Sequence, residues 1–395
     1  MVPNGWEFTT FEHHIDLLSG FAFKSAQYTE NSDDIRLLRG DNIAPNTLRW
    51  DGVKTWDKHQ YAELQKYHLR ENDFVIAMDR TWVSSGLKVA EVTKNDLPCL
   101  LVQRVARIRS LPTLEQSLLR QYFSSHRFEQ YVKGVQTETA VPHISSKQIK
   151  EFPLLLPPLP EQRKIAQILS TWDRGIVITE KLIDASKQQK KALMQQLLTG
   201  KKRLVDPETG KAFEGDWENT HLSNIASIKK GKALSAKNLV AGSYPVIAGG
   251  KSSPYSHVDF THENVITVSA SGAYAGYVSY HPYKIWASDC SVVTAKPANY
   301  LGFIFQWLQL NQIRIYSMQS GGAQPHIYPK DLEVMRLRVP KIEEQEKIAS
   351  VLTAADKDIE LLEAKLAHFR QEKKALMQQL LTGKRRVKVA ETEVA

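Results

Sequence analysis

The stretch "KKALMQQLLTGK" at residues 190–201 returns letter for letter at 373–384. A perfect twelve-residue repeat in a chain of 395 residues signals internal duplication, and its offset of 183 fixes how one half is laid on the other. The correspondence runs without a gap from Glu161–Arg203 to Glu344–Arg386, with 23 of 43 positions identical. Upstream, "VPHISSKQI" at 141–149 meets "QPHIYPKDL" at 324–332, matching Pro142, His143, Ile144 and Lys147 to Pro325, His326, Ile327 and Lys330. Near the start of each half, "GWEFTTFEHHIDLLSG" at 5–20 is similar to "DWENTHLSNIASIKKG" at 216–231, now at offset 211. Between these anchors the halves drift apart. The plan is variable domain, repeated segment, variable domain, repeated segment.

Each repeated segment has the punctuation of one long helix. It opens after prolines (Pro157, Pro158 and Pro160, or Pro340) and closes at Gly200 or Gly383, followed by Lys and Arg. Between them, mostly apolar positions alternate four and three apart: Ile165, Leu169, Trp172, Ile176, Thr179, Ile183, Ser186, Lys190, Leu193, Leu197. The second copy gives Ile348, Leu352, Ala355, Ile359, Leu362, Leu366, Phe369, Lys373, Leu376, Leu380. That period predicts a coiled-coil seam over helices near 161–199 and 344–382, each about 58 Å long. The alternative is two amphipathic helices packed separately on their own domains. Duplication suits an antiparallel pair with a variable domain at each end, in which touching seam residues have numbers summing to about 541, as for Trp172 with Phe369 and Ser186 with Ala355. Side-chain sizes do not decide the direction, because a parallel register pairs Trp172 with Ala355 equally well.

The variable domains read as mixed α and β. "DFVIAM" (73–78) and "NVITVSA" (264–270) are strand-like, and each leads to a Ser-Gly turn, Ser85-Gly86 and Ser271-Gly272. The strand-like runs "LKVAEV" and "YAGYVSY" follow, then the helical stretches 117–132 and 300–315. The fold class is α+β, two divergent copies of one domain. The boundaries are 1–157 for the first domain, 158–203 for its helix, 204–340 for the second domain, 341–386 for its helix and 387–395 for a polar tail.

Composition excludes more than it identifies. Hydrophobic content of 42% and charged content of 24% belong to a folded globular chain. No apolar run reaches membrane-spanning length, the N-terminus lacks a secretory pattern, and only Cys99 and Cys290 are present, which together point to the cytoplasm. The net charge of +9 is uneven: residues 1–160 carry 19 basic and 19 acidic side chains, whereas 161–203 carry 10 and 4. A basic balance favours an anionic partner such as nucleic acid.

Catalytic motifs are missing. "AGGKSSP" at 248–254 has Pro245 where a phosphate loop needs its first glycine, and Pro254 where a helix should begin. No Asn-Pro-Pro-aromatic methyltransferase box or glycine-rich cofactor loop occurs. Glu363-Ala364-Lys365 has nuclease-like lettering but lies on the long helix, where a solvated face explains it. His13-His14 and the pair His257 and His262 lack companions at metal-ligand spacing and read as surface or turn histidines. The chain is a reader without catalytic residues.

Reader-type residues cluster in the loops. The first domain offers Lys24, Arg39, Arg80, Thr81, Trp82, Ser84, Ser85 and Lys88. The second offers Lys229, Lys230, Lys232, Lys251, Ser252, Ser253, Tyr255, Ser269, Ser271 and Tyr274. Arg and Lys grip phosphates and guanines, while Ser, Thr and Tyr serve phosphates or base edges. His143 and His326, each after a proline, read as locks on the turn from domain to helix. In the repeat, Lys191, Met194, Gln195 and Gln196 recur as Lys374, Met377, Gln378 and Gln379 without a seam role. They read as an outward docking face for a partner, since Met and Gln suit adaptable contacts.

The passages "LPPLPEQRKIAQIL" and "KKALMQQLLTGKKR" resemble the conserved region of the specificity subunits of Type I restriction–modification enzymes. The resemblance covers the whole chain, with "EQ" starts at Glu161-Gln162 and Glu344-Gln345; the second start, "VPKIEEQEKIA", lacks the double proline. It implies two target-recognition domains, an antiparallel helix pair and a bipartite double-stranded DNA site, one half read by each domain. It also implies two docked methyltransferase subunits, with restriction subunits joining through them. S-adenosylmethionine, ATP and Mg²⁺ would then sit on partner subunits, leaving this chain without a cofactor. A lone two-headed DNA binder, and an enzyme with a degenerate site, are the competing readings.

Overall fold

A computed structural model describes residues 2–137, 139–206, 209–250, 254–322 and 324–389. The four-three apolar spacing is realised as two helices of 39 residues, Leu159–Leu197 and Ile342–Leu380. The chain divides into two compact units: 1–178 with 366–395, and 179–365. Each unit therefore holds one α/β domain, the start of one long helix and the end of the other.

In the first unit the helix segments run antiparallel. Trp172 packs edge-on to Phe369, with ring centroids 5.6 Å apart, and Lys373 pairs with Asp173 at 2.6 Å. In the second unit Lys190 pairs with Asp356, and Lys187 with Glu363 at 2.6 Å. The numbers in these four pairs sum to between 541 and 550, which is the signature of opposed directions. Every seam position named from the sequence is buried or half-buried, as knobs in a helix pair must be.

The two α/β domains share one topology. In the first unit, an antiparallel sheet runs Val89–Glu91, Phe74–Ala77, Val105–Ser110, Ile15–Ser19. Its counterpart in the second runs Val278–His281, Val265–Ser269, Cys290–Ala295, Ala226–Lys230. A three-stranded sheet follows in each, with one parallel pairing: Ile35–Leu38 with Cys99–Leu101, and Tyr244–Ile247 with Trp286–Ala287. The predicted helical stretches are each two helices, Gln116–Phe123 with His126–Val135 and Leu301–Leu310 with Gln312–Ser317. In the first unit, Ser125 begins the new helix by accepting the Phe128 N–H at 3.2 Å.

One core in each unit joins domain to helices. Trp6, Phe11, Phe128 and Phe152 pack with Ile165, Leu169, Met377 and Leu380. Trp217, Phe303 and Ile304 pack with Met194, Leu197, Ile348 and Leu352. Burying each such side chain contributes about 1.5–3 kcal/mol.

The same polar anchors are built into both cores. Glu344 is 2% exposed and accepts from Arg203 Nε at 2.7 Å, Arg203 Nη2 at 2.7 Å and Trp217 Nε1 at 3.3 Å. Glu161 accepts from Arg386 Nε at 2.9 Å and Trp6 Nε1 at 3.2 Å. Next in sequence, Gln162 Nε2 donates to Pro157 O at 2.8 Å and its Oε1 accepts the Glu115 N–H. Gln345 does the same with Pro340 O at 2.9 Å and the Tyr300 N–H. The "EQ" pair is thus an anchor of helix start to domain, and the missing second proline leaves it unchanged. Deeper along the helices, Gln121 donates to Asp173 at 2.8 Å and Gln306 to Asp356 at 2.9 Å.

Both helices end as the sequence indicates. Gly200 and Gly383 have φ of +69° and +68°, the left-handed closing conformation that favours glycine. Space demands glycine too: a Cβ on Gly200 would lie 3.2 Å from the Trp217 ring, and one on Gly383 only 2.2 Å from Pro3. The chain then turns so that Arg203 and Arg386 reach their glutamates.

Replacing Arg203 by alanine would leave Glu344 as an unpaired buried carboxylate, at a cost of about 3 kcal/mol. Hydrogen exchange resolved along the chain should show the loss concentrated in 179–365; a uniform or negligible effect would contradict this assignment.

Candidate functional site

In both units the loop leaving the central strand is held by the Pro-His-Ile segment. Arg80 donates its N–H to Pro142 O at 2.7 Å, and Ile144 donates to Met78 O at 2.9 Å. Gly272 donates to Pro325 O at 3.1 Å, and Ile327 to Ala270 O at 3.0 Å. His143 bridges Asp79 and His326 bridges Ser271 through the backbone. These histidines therefore clamp a loop instead of locking the turn into the helix. The match also corrects the sequence register: Asp79-Arg80, not Ser85-Gly86, corresponds to Ser271-Gly272. Ser84 and Ser85 instead lie at the tip of a short hairpin, Trp82–Val83 with Gly86–Leu87.

The first unit gathers charge at this loop. Asp79 accepts from His143 Nδ1 at 2.6 Å and Arg104 Nη1 at 3.3 Å. Arg80 is exposed, and Lys88 lies within electrostatic reach of Asp41, Arg80 and Asp79. Partial burial, opposed by Asp41, pulls the Lys88 ammonium below its usual range. Arg39 is tied to Asp41 at 3.2 Å. Trp82 is fixed on the neighbouring helix: its Nε1 donates to Glu129 at 3.1 Å, and Lys133 Nζ sits 4.1 Å from its ring. Thr81 is removed from the candidate readers, because it is fully buried and its Oγ1 donates to Ala77 O at 2.7 Å. Lys24 is exposed beside a separate cleft lined by Phe21, Trp56 and Glu63.

In the second unit Lys230, Ser288, Asp289, His326 and Tyr328 line one cleft. Lys230 and Lys330 approach the Tyr328 ring at 5.7 and 5.6 Å, and Lys232 approaches Trp286 at 5.2 Å. Ser271 Oγ donates to Asp289 Oδ2. Lys229, Tyr255 and Tyr274 are exposed. Ser269 is 4% exposed within its strand, so it supports the sheet and is removed from the readers. Lys251, Ser252 and Ser253 lie outside the described residues. The sequence reading passed over Asp79, Arg104, Asp289, Tyr328 and Lys330, because only the hydrogen bonding of the folded loops brings these residues together.

His14, His257 and the two cysteines are structural, whereas His13 is exposed. His14 and His257 are buried, not superficial: His14 Nδ1 meets Thr113 Oγ1 at 2.8 Å, and His257 packs edge-on to Trp286. Burial pushes the Cys99 and Cys290 thiols up to about 12, which keeps them protonated. Among the described residues no cluster of three His, Cys, Asp or Glu could hold a metal ion, and no helix is long and apolar enough to cross a membrane.

The repeated segment divides by face. Lys191, Gln195, Gln196, Lys374, Gln378 and Gln379 are exposed. Met194 and Met377 are not: at 7% and 8% exposure they belong to the cores of the second and first units. Their recurrence needs no outside partner, because each fills the same gap between helix end and domain.

A family described as "Type I restriction modification DNA specificity domain" matches residues 3–187 and 214–369. Similar proteins include the Type I restriction enzyme EcoAI specificity subunit of Escherichia coli, 37% identical over 46% of this chain and 30% of that one. The MjaVIII specificity subunit of Methanocaldococcus jannaschii is 27% identical over 51% of this chain and 48% of its own length, so the matches to these two span less than half of each relative. The putative MjaX specificity subunit of the same organism is 29% identical over 73% and 72%. The fold is that of the S subunit of a Type I restriction–modification system from M. genitalium, with TM-score 0.66, 17% identity, and coverage of 96% of this chain and 98% of that one. A chain from a structural study of assembly and conformational transition in the type I R-M system gives TM-score 0.57 and 15% identity, with coverage of 97% and 99%.

The division of the repeat by face predicts opposite outcomes for neighbouring substitutions. Met194→Asp should destabilise the second unit by more than about 3 kcal/mol, since it buries a charge and loses a core side chain. Lys191→Glu should leave the melting temperature within a degree or two. Equal effects in thermal denaturation would show that the faces are wrongly assigned.

Proposed function

This chain belongs to the Type I restriction modification DNA specificity family, and on that premise we propose that it reads a bipartite double-stranded DNA site, one half with each α/β domain. The observation that carries the reading is a duplicated frame with unlike exposed side chains, set on helices whose C-terminal ends carry the same twelve residues, 190–201 and 373–384. Two different half-sites call for different reading loops on one scaffold. Two identical partners call for two equal docking faces, and the exposed identical residues Lys191, Gln195 and Gln196 with Lys374, Gln378 and Gln379 meet that need. Those partners are two methyltransferase subunits, through which restriction subunits join. S-adenosylmethionine, ATP and Mg²⁺ act on the partner subunits, and this chain supplies recognition and scaffolding without catalysis.

The exposed lysines fit phosphate contacts, which position DNA without reading it. Lys230→Ala should weaken binding to all sequences alike and lower the salt slope by about one. Exchange of residues 1–150 for those of a relative should change one half of the methylated site and leave the other intact. Mapping of methylated bases in cells carrying the hybrid checks this; a change in both halves would contradict independent reading. Reversing Lys191 and Lys374 to glutamate should leave the chain folded and weaken copurification of the methyltransferase. Unchanged assembly would remove the docking role.

A further inference from the structure

At one place the two units carry the same backbone frame and opposite charge. Met78 donates its N–H to Arg104 O at 2.8 Å, as Ala270 does to Asp289 O at 3.1 Å. With the matching bonds of Arg80 and Gly272 to the Pro-His-Ile segments, four positions correspond. Asp79, Arg80, Arg104 and His143 of the first unit match Ser271, Gly272, Asp289 and His326 of the second. With histidine neutral, two arginines and one aspartate face a lone aspartate at the equivalent positions.

The arginines are held where their backbone is unfavourable. Arg80 and Arg104 have φ of +47° and +66°, a conformation that costs a residue with a Cβ about 1–2 kcal/mol. Gly272 takes φ of +78° at the position of Arg80, so glycine satisfies this loop geometry without that cost. An arginine kept there serves through its side chain, and strain of this kind gathers at functional sites. Arg80 makes no side-chain hydrogen bond or ion pair among the described residues, and the Arg104 side chain is 63% exposed. Asp79, fixed by His143, steers Arg104 without covering it.

In the second unit the exposed Asp289 accepts from Ser271 through one oxygen. Gly249 closes on the pair so tightly that a Cβ would lie 2.8 Å from Ser271 O and 3.4 Å from Asp289 Oδ2. A carboxylate facing DNA is repelled by phosphates and gains only where it meets a hydrogen-bond donor. Donors on base edges in the major groove are the exocyclic amines of cytosine and adenine.

Building on the bipartite reading above, we propose that these four positions are the specificity-determining cluster of each domain. Arg80, with Arg104, takes the O6 and N7 acceptors of a guanine. Asp289, oriented by Ser271, takes the amine of a cytosine or adenine in the other half-site. The two halves of the target therefore differ in hydrogen-bond polarity at equivalent places.

The test uses the full-length chain bound to its methyltransferase and a library of random duplexes, with base preference read at every position. Arg80→Gly keeps the loop geometry, as Gly272 shows, and should cut the guanine preference at one position by about 5- to 150-fold while sparing the other half-site. Arg80→Lys should hold overall affinity and salt slope yet lose the same preference, because the two-pronged fork is gone. Asp289→Asn should change one position of the other half-site only, and thermal melts confirm folding of each variant. Unmoved base preferences, or an even loss across all sequences, would overturn the cluster as a reader. A wild-type assembly without any sequence preference would instead refute the recognition reading, and this inference would fall with it.

Discussion

Two buried carboxylates organise this protein. Glu161 and Glu344 open the long helices, are almost withdrawn from solvent, and each is neutralised by an arginine that follows the other helix, Arg386 and Arg203. A charge in such a place is tolerated only when paired and hydrogen-bonded. Neither helix supplies its own partner. Each copy must therefore carry a correct head for one unit and a correct tail for the other. The same exchange recurs one level in, where Asp173 and Asp356 meet Lys373 and Lys190 under a glutamine. This reciprocity accounts for much of the identity between the repeats: Lys190, Met194, Leu197, Gly200 and Arg203 each have a structural duty matched in the second copy.

The constraint falls on the helices and the inner faces of the domains, and releases the loops. The loop after each central strand hangs from main-chain bonds to the Pro-His-Ile segment, and such bonds are indifferent to side chain. Arginine can stand where glycine stands, and aspartate where arginine stands, without altering the frame. A scaffold built this way permits one fold to present unlike chemistry at two places, which is what the proposed recognition of two unlike half-sites requires.

The helices were legible in the sequence because a heptad seam and glycine stops are local signals, and the duplication was legible because offset alone reveals it. The α+β class followed from short strand-like runs. The register of the loops was not legible: Ser-Gly occurs by chance in both halves, and only hydrogen bonding shows that Arg80 occupies the place of Gly272. The polar residues Thr81 and Ser269 misled because strand ends bury hydroxyls that bond their own backbone. Met194 and Met377 misled because a seam count covers the helix–helix face and ignores the face turned to the domain. In each Trp–Glu–Arg triad the glutamate lies more than a hundred positions from both its partners, and periodicity carries no trace of the contact.

The central claim is that the head of each helix is completed by the tail of the other, and a charge exchange at the inner ion pair tests it most directly. Asp356→Lys should lower the stability of the unit formed by 179–365, measured by denaturant titration with site-resolved hydrogen exchange. Adding Lys190→Asp should restore most of the loss, because Gln306, whose Oε1 has no partner, can turn its carbonyl to the new lysine. Adding Lys373→Asp, the identical residue in the other repeat, should not. Rescue by Lys373→Asp, or none by Lys190→Asp, would contradict the reciprocal antiparallel pairing on which the rest of the account stands.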